Sequence, residues 1–68
     1  MEQMLDRLRY EYSERLNHMY SAVRELGQAM ETGSYKKTYD AGQWLEVNAR
    51  QLATIAQSIA KVKKEAGL

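Results

Sequence analysis

The sequence predicts an all-α fold, a two-helix antiparallel hairpin whose copies assemble into a helical-bundle homo-oligomer. Three observations carry this. Apolar residues recur at steps of three and four through both halves of the chain; Gly33 stands between the two patterned halves; and no proline interrupts either of them in 68 residues.

In the first half Leu5, Leu8, Tyr12, Leu16, Met19, Val23, Leu26 and Met30 form one helical line. It predicts a helix over about residues 3–31. One step of four replaces a three between Tyr12 and Leu16, which lengthens the repeat locally. Glu2 and Asp6 suit the positive end of the helix dipole, and Gly33 suits the left-handed residue that ends a helix. Tyr20, beside Met19, is expected in the core. Met1, Met4, Met19 and Met30 fall on or near the stripe, where thioethers fill gaps.

In the second half Ala41, Leu45, Asn48, Leu52, Ile55, Ile59, Val62 and Ala66 alternate steps of four and three without a break. Two starts compete for this helix. Ser34 could cap it directly after Gly33, whereas Asp40 followed by Gln43 resembles a capping box. The second reading is favoured, with a polar connection over about residues 32–38 and a helix over about 39–66. Lys61, Lys63 and Lys64 complement its negative end, and Gly67 closes it. Ala49, Ala53, Ala56 and Ala60 make a small-residue stripe beside the seam, a second surface on which another helix can approach closely. Leu45, Asn48, Leu52, Ile55 and Ile59 are the expected oligomer interface, with Asn48 fixing register at a cost in stability.

A chain this short buries a smaller fraction of its surface than an average domain does and usually needs a staple. It has no cysteine, so disulfides and thiolate sites are excluded, and His18 is its single histidine. Association is the route left, and neither a metal nor a cofactor is expected. With no charged-then-apolar leader and no membrane-length apolar run, the expected setting is soluble and cytoplasmic, with no membrane partner.

Ten basic residues against nine acidic give +1, too little for a dedicated duplex nucleic-acid binder. The charge is uneven. Residues 1–33 hold four basic against six acidic residues, or −2, and residues 34–68 hold six against three, or +3. Antiparallel helices would set these halves against each other.

No catalytic residues are expected. No glycine loop cradles a phosphate, and Ser13, Glu14 and His18, although neighbours on one helix, read as an exposed surface group. More suggestive are aromatic rings interleaved with cations: Arg7, Arg9, Tyr10 and Tyr12 in the first helix, and Tyr35, Lys36, Lys37 and Tyr39 near the turn. A flat ring with a cation stacks a nucleobase while neutralising its phosphate. Trp44, one residue before Leu45, should flank the seam as a subunit anchor or a ligand platform.

The run Val23-Arg24-Glu25-Leu26-Gly27, followed by Trp44-Leu45-Glu46-Val47 and Leu52, resembles the helical hairpin of phage anti-CBASS proteins that sequester cyclic nucleotides. That resemblance covers about half of the chain. It implies a compact homo-oligomer, hexameric in that family, in the cytoplasm of a bacterial host, whose intersubunit pockets take cyclic di- or trinucleotides without turning them over. It would give the base-stacking role to Tyr10 or Tyr12 and the phosphate contact to Arg24. Arg9, Lys36, Lys37 and Trp44 join them as ligand-binding candidates. Where the family tends to carry Gly-Phe-Met, this chain reads Thr54-Ile55-Ala56. The chain also resembles the small E-type co-chaperones of type III secretion needle subunits, with a glycine turn at Gly33 and a tyrosine soon after, at Tyr39. This second resemblance implies a helical protein partner and no small ligand.

Overall fold

In the computed structural model, which describes residues 2–67, the chain is α1 (Glu2–Thr32) followed by α2 (Tyr35–Glu65), packed antiparallel. Between them lie only Gly33 and Ser34. The longer connection expected over 32–38 is replaced by this two-residue turn, and its hydrogen bonds explain why. Gly33, at φ 71°, turns the chain out of α1, and its N–H donates to the Met30 carbonyl. The Ser34 N–H donates to the Ala29 carbonyl at 3.1 Å, so two of the four orphan carbonyls at the helix end are satisfied. Ser34 then caps α2 at once: its Oγ accepts from the Lys37 N–H at 3.3 Å, and its carbonyl accepts from the Thr38 N–H and hydroxyl. Asp40, the rival cap, accepts instead from Lys36 Nζ at 3.1 Å, one turn back.

Nothing lies within 4 Å of a Cβ placed at Gly33. The demand for glycine there is conformational alone, and Gly33→Ala is expected to cost about 1–2 kcal/mol in a urea melt without changing helix content.

A two-residue turn makes the pairing a mirror. Leu5, Leu8, Tyr12, Arg15, Met19, Ala22, Leu26 and Ala29 stand as many residues before Thr32 as Val62, Ile59, Ile55, Leu52, Asn48, Leu45, Ala41 and Thr38 stand after Tyr35. All sixteen are buried or half-buried. The α1 seam is therefore an unbroken heptad line, without the longer step expected at Leu16.

This corrects the expected core of α1. Ala22 is fully buried (0% exposed) and Ala29 nearly so, whereas Val23 is 53% and Met30 64% exposed. Had the line shifted by one residue after Tyr12, it would have rotated about 100° away from α2's regular seam. Small Ala22 faces the height of Leu45, and small Ala41 the height of Leu26, so large meets small along the pair. The cost is Arg15 in the seam, half-buried, with its guanidinium donating to His18 Nδ1 at 3.3 Å. Tyr20 and Met4, expected on the apolar stripe, are exposed. Ala66, expected in the seam, is the exposed C-cap, its N–H bonded to the Val62 carbonyl; Gly67, at φ 73°, ends the helix as anticipated. Met1 lies outside the described residues.

The result is a rod of 49 × 14 × 12 Å with a radius of gyration of 15.4 Å. A compact domain of this length would measure about 11 Å. The hairpin exposes 5374 Å². A compact monomer of the same mass exposes about 4,400 Å². Among the described residues no large side chain is fully buried.

Candidate functional site

The candidate ligand residues fall at the two ends of the rod. Arg9, Tyr10 and Tyr12 belong to the open end, where α1 begins and α2 finishes; Lys36, Lys37 and Trp44 belong to the turn. Tyr10 precedes Thr32 by 22 residues and Trp44 follows Tyr35 by nine, so along the rod Tyr10 stands about 20 Å from Trp44 and about 30 Å from the two lysines. One protomer does not bring them together. Arg24 is exposed on α1 at about the height of Trp44, eight residues before Thr32, but does not line the groove that Trp44 lines.

At the open end the ring of Tyr12 is half-buried in the α1/α2 seam and is not a free stacking face, whereas Tyr10 is exposed. Arg9 lines a shallow depression of about 290 Å³ with Glu2, Leu5 and Asp6. Its charge is therefore set beside two carboxylates.

At the turn Tyr35 is 90% exposed and Tyr39 also stands in solvent, with Lys36 and Lys37 between them. Lys37 and Trp44 line an open groove of about 460 Å³ together with Glu25, Asp40, Gln28 and Thr32. One cation and one ring of the candidate set thus line the same groove. Glu25 and Asp40 stand there against Lys37, with Asp40 also held by Lys36, so the groove alone offers an anion no net positive charge. Lys36, the nearest further cation, is engaged by Asp40 in an exposed pair worth little to stability. The edge of Trp44 meets His18, ring centroids 6.4 Å apart and tilted by 37°.

His18 does not form the pair with Glu14 that its spacing suggests. Its Nδ1 lies instead 3.3 Å from the Arg15 guanidinium, which has only donors to offer. No cluster of three metal-ligating side chains occurs among the described residues, and no helix is long and apolar enough to cross a membrane.

The five residues expected at an oligomer interface are used first within the chain. Asn48 is 2% exposed and donates from Nδ2 to the Trp44 carbonyl at 2.9 Å, a bond inside its own helix. Leu45, Leu52, Ile55 and Ile59 face α1 and remain half-exposed. Closing the two-helix seam occupies this heptad line and leaves the flanks of the hairpin uncovered. A second groove of about 570 Å³, lined by Glu11, Glu14, Arg15, Arg50, Gln51, Thr54 and Ile55, was not anticipated. Its forerunner in the sequence is Arg15, which breaks the apolar line and which an apolar count passes over.

No family model matches the chain, and comparison with curated proteins and with solved structures found none similar to it. The two resemblances rest on their own residues.

Proposed function

We propose that this hairpin works by association, as a non-catalytic protomer of a helical-bundle homo-oligomer. The observation that supports it most directly is surface. The rod exposes about 1,000 Å² more than a compact monomer of its mass, and Val23, Met30, Tyr20 and Val47 are among the large side chains in solvent. A standard interface removes about 800 Å² from each partner, so one contact with another helix pair would offset the excess. Association makes folding depend on concentration, and the melting temperature of this protein is expected to rise with its concentration. A melting temperature constant over a hundredfold dilution would remove the basis for the reading.

The fuller form of the proposal is sequestration of a cyclic di- or trinucleotide between subunits. It is supported by the exposed rings Tyr10, Tyr35 and Tyr39 beside Arg9, Lys36 and Lys37, and by the resemblance through Arg24 and Trp44. Because Glu25 and Asp40 offset Lys37 in the turn groove, the phosphates require cations from a neighbouring subunit. In a thermal-shift panel of cyclic di- and trinucleotides, a ligand at a hundred times its dissociation constant adds ~2.7 kcal/mol of stability. Absence of any shift would leave association standing without this ligand. The co-chaperone reading predicts the opposite behaviour: a protein poorly folded alone and ordered by a helical partner.

A further inference from the structure

The two flanks of the hairpin differ in chemistry. In each right-handed helix the residue after a seam position turns to one side and the residue before it to the other. Because α1 and α2 are antiparallel, the preceding residues of both helices share one flank and the following residues share the opposite one. The grooves bear this out, since Glu25 and Gln28 line one with Asp40, and Glu14 lines the other with Gln51 and Thr54. That flank is mainly polar, with Met4, Trp44 and Val47 as its exposed large apolar residues. The opposite flank carries Tyr20, Val23 and Met30 on α1 and Ala53, Ala56 and Ala60 on α2, all exposed. Between Leu16 and Met30, and between Gly42 and Ala60, its single charged residue is Glu46, which pairs with Arg50 at 3.2 Å.

Resting on the association reading above, we infer that a second copy docks on this apolar flank, related by a twofold axis along the rod, so that each α1 lies over the partner's α2. Three features select this occupant and this axis. The area left uncovered by one protomer, about 1,000 Å² beyond a compact monomer, matches what one side of a standard interface buries. The flank is large on α1 and small on α2, so rotation about the long axis seats tyrosine, valine and methionine on alanine, in both directions at once. Charge agrees as well: residues 1–33, at −2, come over residues 34–68, at +3. A twofold axis across the rod would instead stack α1 on α1 and α2 on α2, large on large and like charge on like.

The test uses the whole chain, whose lack of cysteine leaves introduced thiols without competitors. Ala53 and Ala56 are exposed in the protomer, so A53R with A56R is compatible with the hairpin itself. The expected result is a fall in sedimenting mass to the 7.9 kDa protomer with helical circular dichroism retained. The control pair Gln51→Arg and Thr54→Arg, on the polar flank, is expected to leave the mass unchanged. Tyr20 and Ala49 stand 12 and 14 residues from the helix ends at the turn, within ~3 Å of the same height along the rod. A mixture of Y20C and A49C proteins is expected to cross-link under mild oxidation, and neither variant alone. If A53R with A56R keeps the mass of the unsubstituted oligomer, the flank is wrong while association stands. If Y20C alone cross-links, the axis is wrong. If the unsubstituted protein sediments as a protomer, both readings fall. Should the arginine variant lose its helicity, the cysteine mixture decides alone.

Discussion

Asn48→Asp is expected to destabilise the hairpin by about 3 kcal/mol or more at neutral pH. Asn48 Nδ2 donates to the Trp44 carbonyl at 2.9 Å from a side chain only 2% exposed. An ionised carboxylate has no proton to give, so two acceptors would face each other in the seam with little water to separate them. The sign of the pH effect follows. Burial raises the folded-state pKa of the introduced carboxyl above its unfolded value, so the variant approaches the parent's stability at pH below the unfolded pKa. Its deficit grows as pH rises through the folded pKa. Urea melts of variant and parent at matched concentration, at pH 4 and pH 7, read this difference. Asn48→Leu, which removes the polar group outright, is expected to be neutral or stabilising. A carboxylate tolerated within about 0.5 kcal/mol at pH 7 would mean that Asn48 is not enclosed.

Ala22→Leu is expected to cost about 1–3 kcal/mol, because Ala22 is 0% exposed and stands level with Leu45 across the seam. For a domain of this size that is a fall of roughly 4–8 °C in melting temperature per kcal/mol. Val23→Leu, one residue on, adds one methylene, against three carbons at Ala22, to an exposed position and is expected to have little effect on the protomer fold. The pair separates the two descriptions of α1. If Val23 lay in the seam and Ala22 outside it, the order of the two effects would reverse.

That contrast also shows what the sequence made legible. The α2 seam was readable to its last turn but one because its heptad is regular and almost every member is apolar; Ala66 alone fell outside, one residue past the end of the helix. The α1 seam was not, since the reading followed size and greasiness. It therefore preferred Leu16, Val23 and Met30 to Arg15, Ala22 and Ala29. What decides the matter is symmetry about the turn, and that symmetry becomes visible only once the turn is known to be two residues long. Gly33 was read correctly as the helix stop. The start of α2 was misjudged because Asp40 and Gln43 have the right types and spacing for a cap, while Ser34 has the actual job of following a left-handed glycine. The candidate binding residues were found by type: rings and cations. Type does not convey that Tyr10 and the turn lysines stand about 30 Å apart along the rod, or that Glu25 and Asp40 share the groove of Lys37 and Trp44. Those are facts of register and of neighbours on the other helix.

The small-residue stripe was legible as a surface and is uncovered in the hairpin, with Ala53, Ala56 and Ala60 all in solvent. Its alanines do not stabilise the protomer by burial. In the proposed dimer they let another helix approach, and the large side chains on the same flank of α1 fill the space between.

Sedimentation equilibrium of the unsubstituted chain at micromolar concentration bears most directly on all of this. A mass that is a whole multiple of 7.9 kDa, falling toward the protomer on dilution, is the expected result. A folded, fully helical species at the protomer mass throughout the range would contradict it.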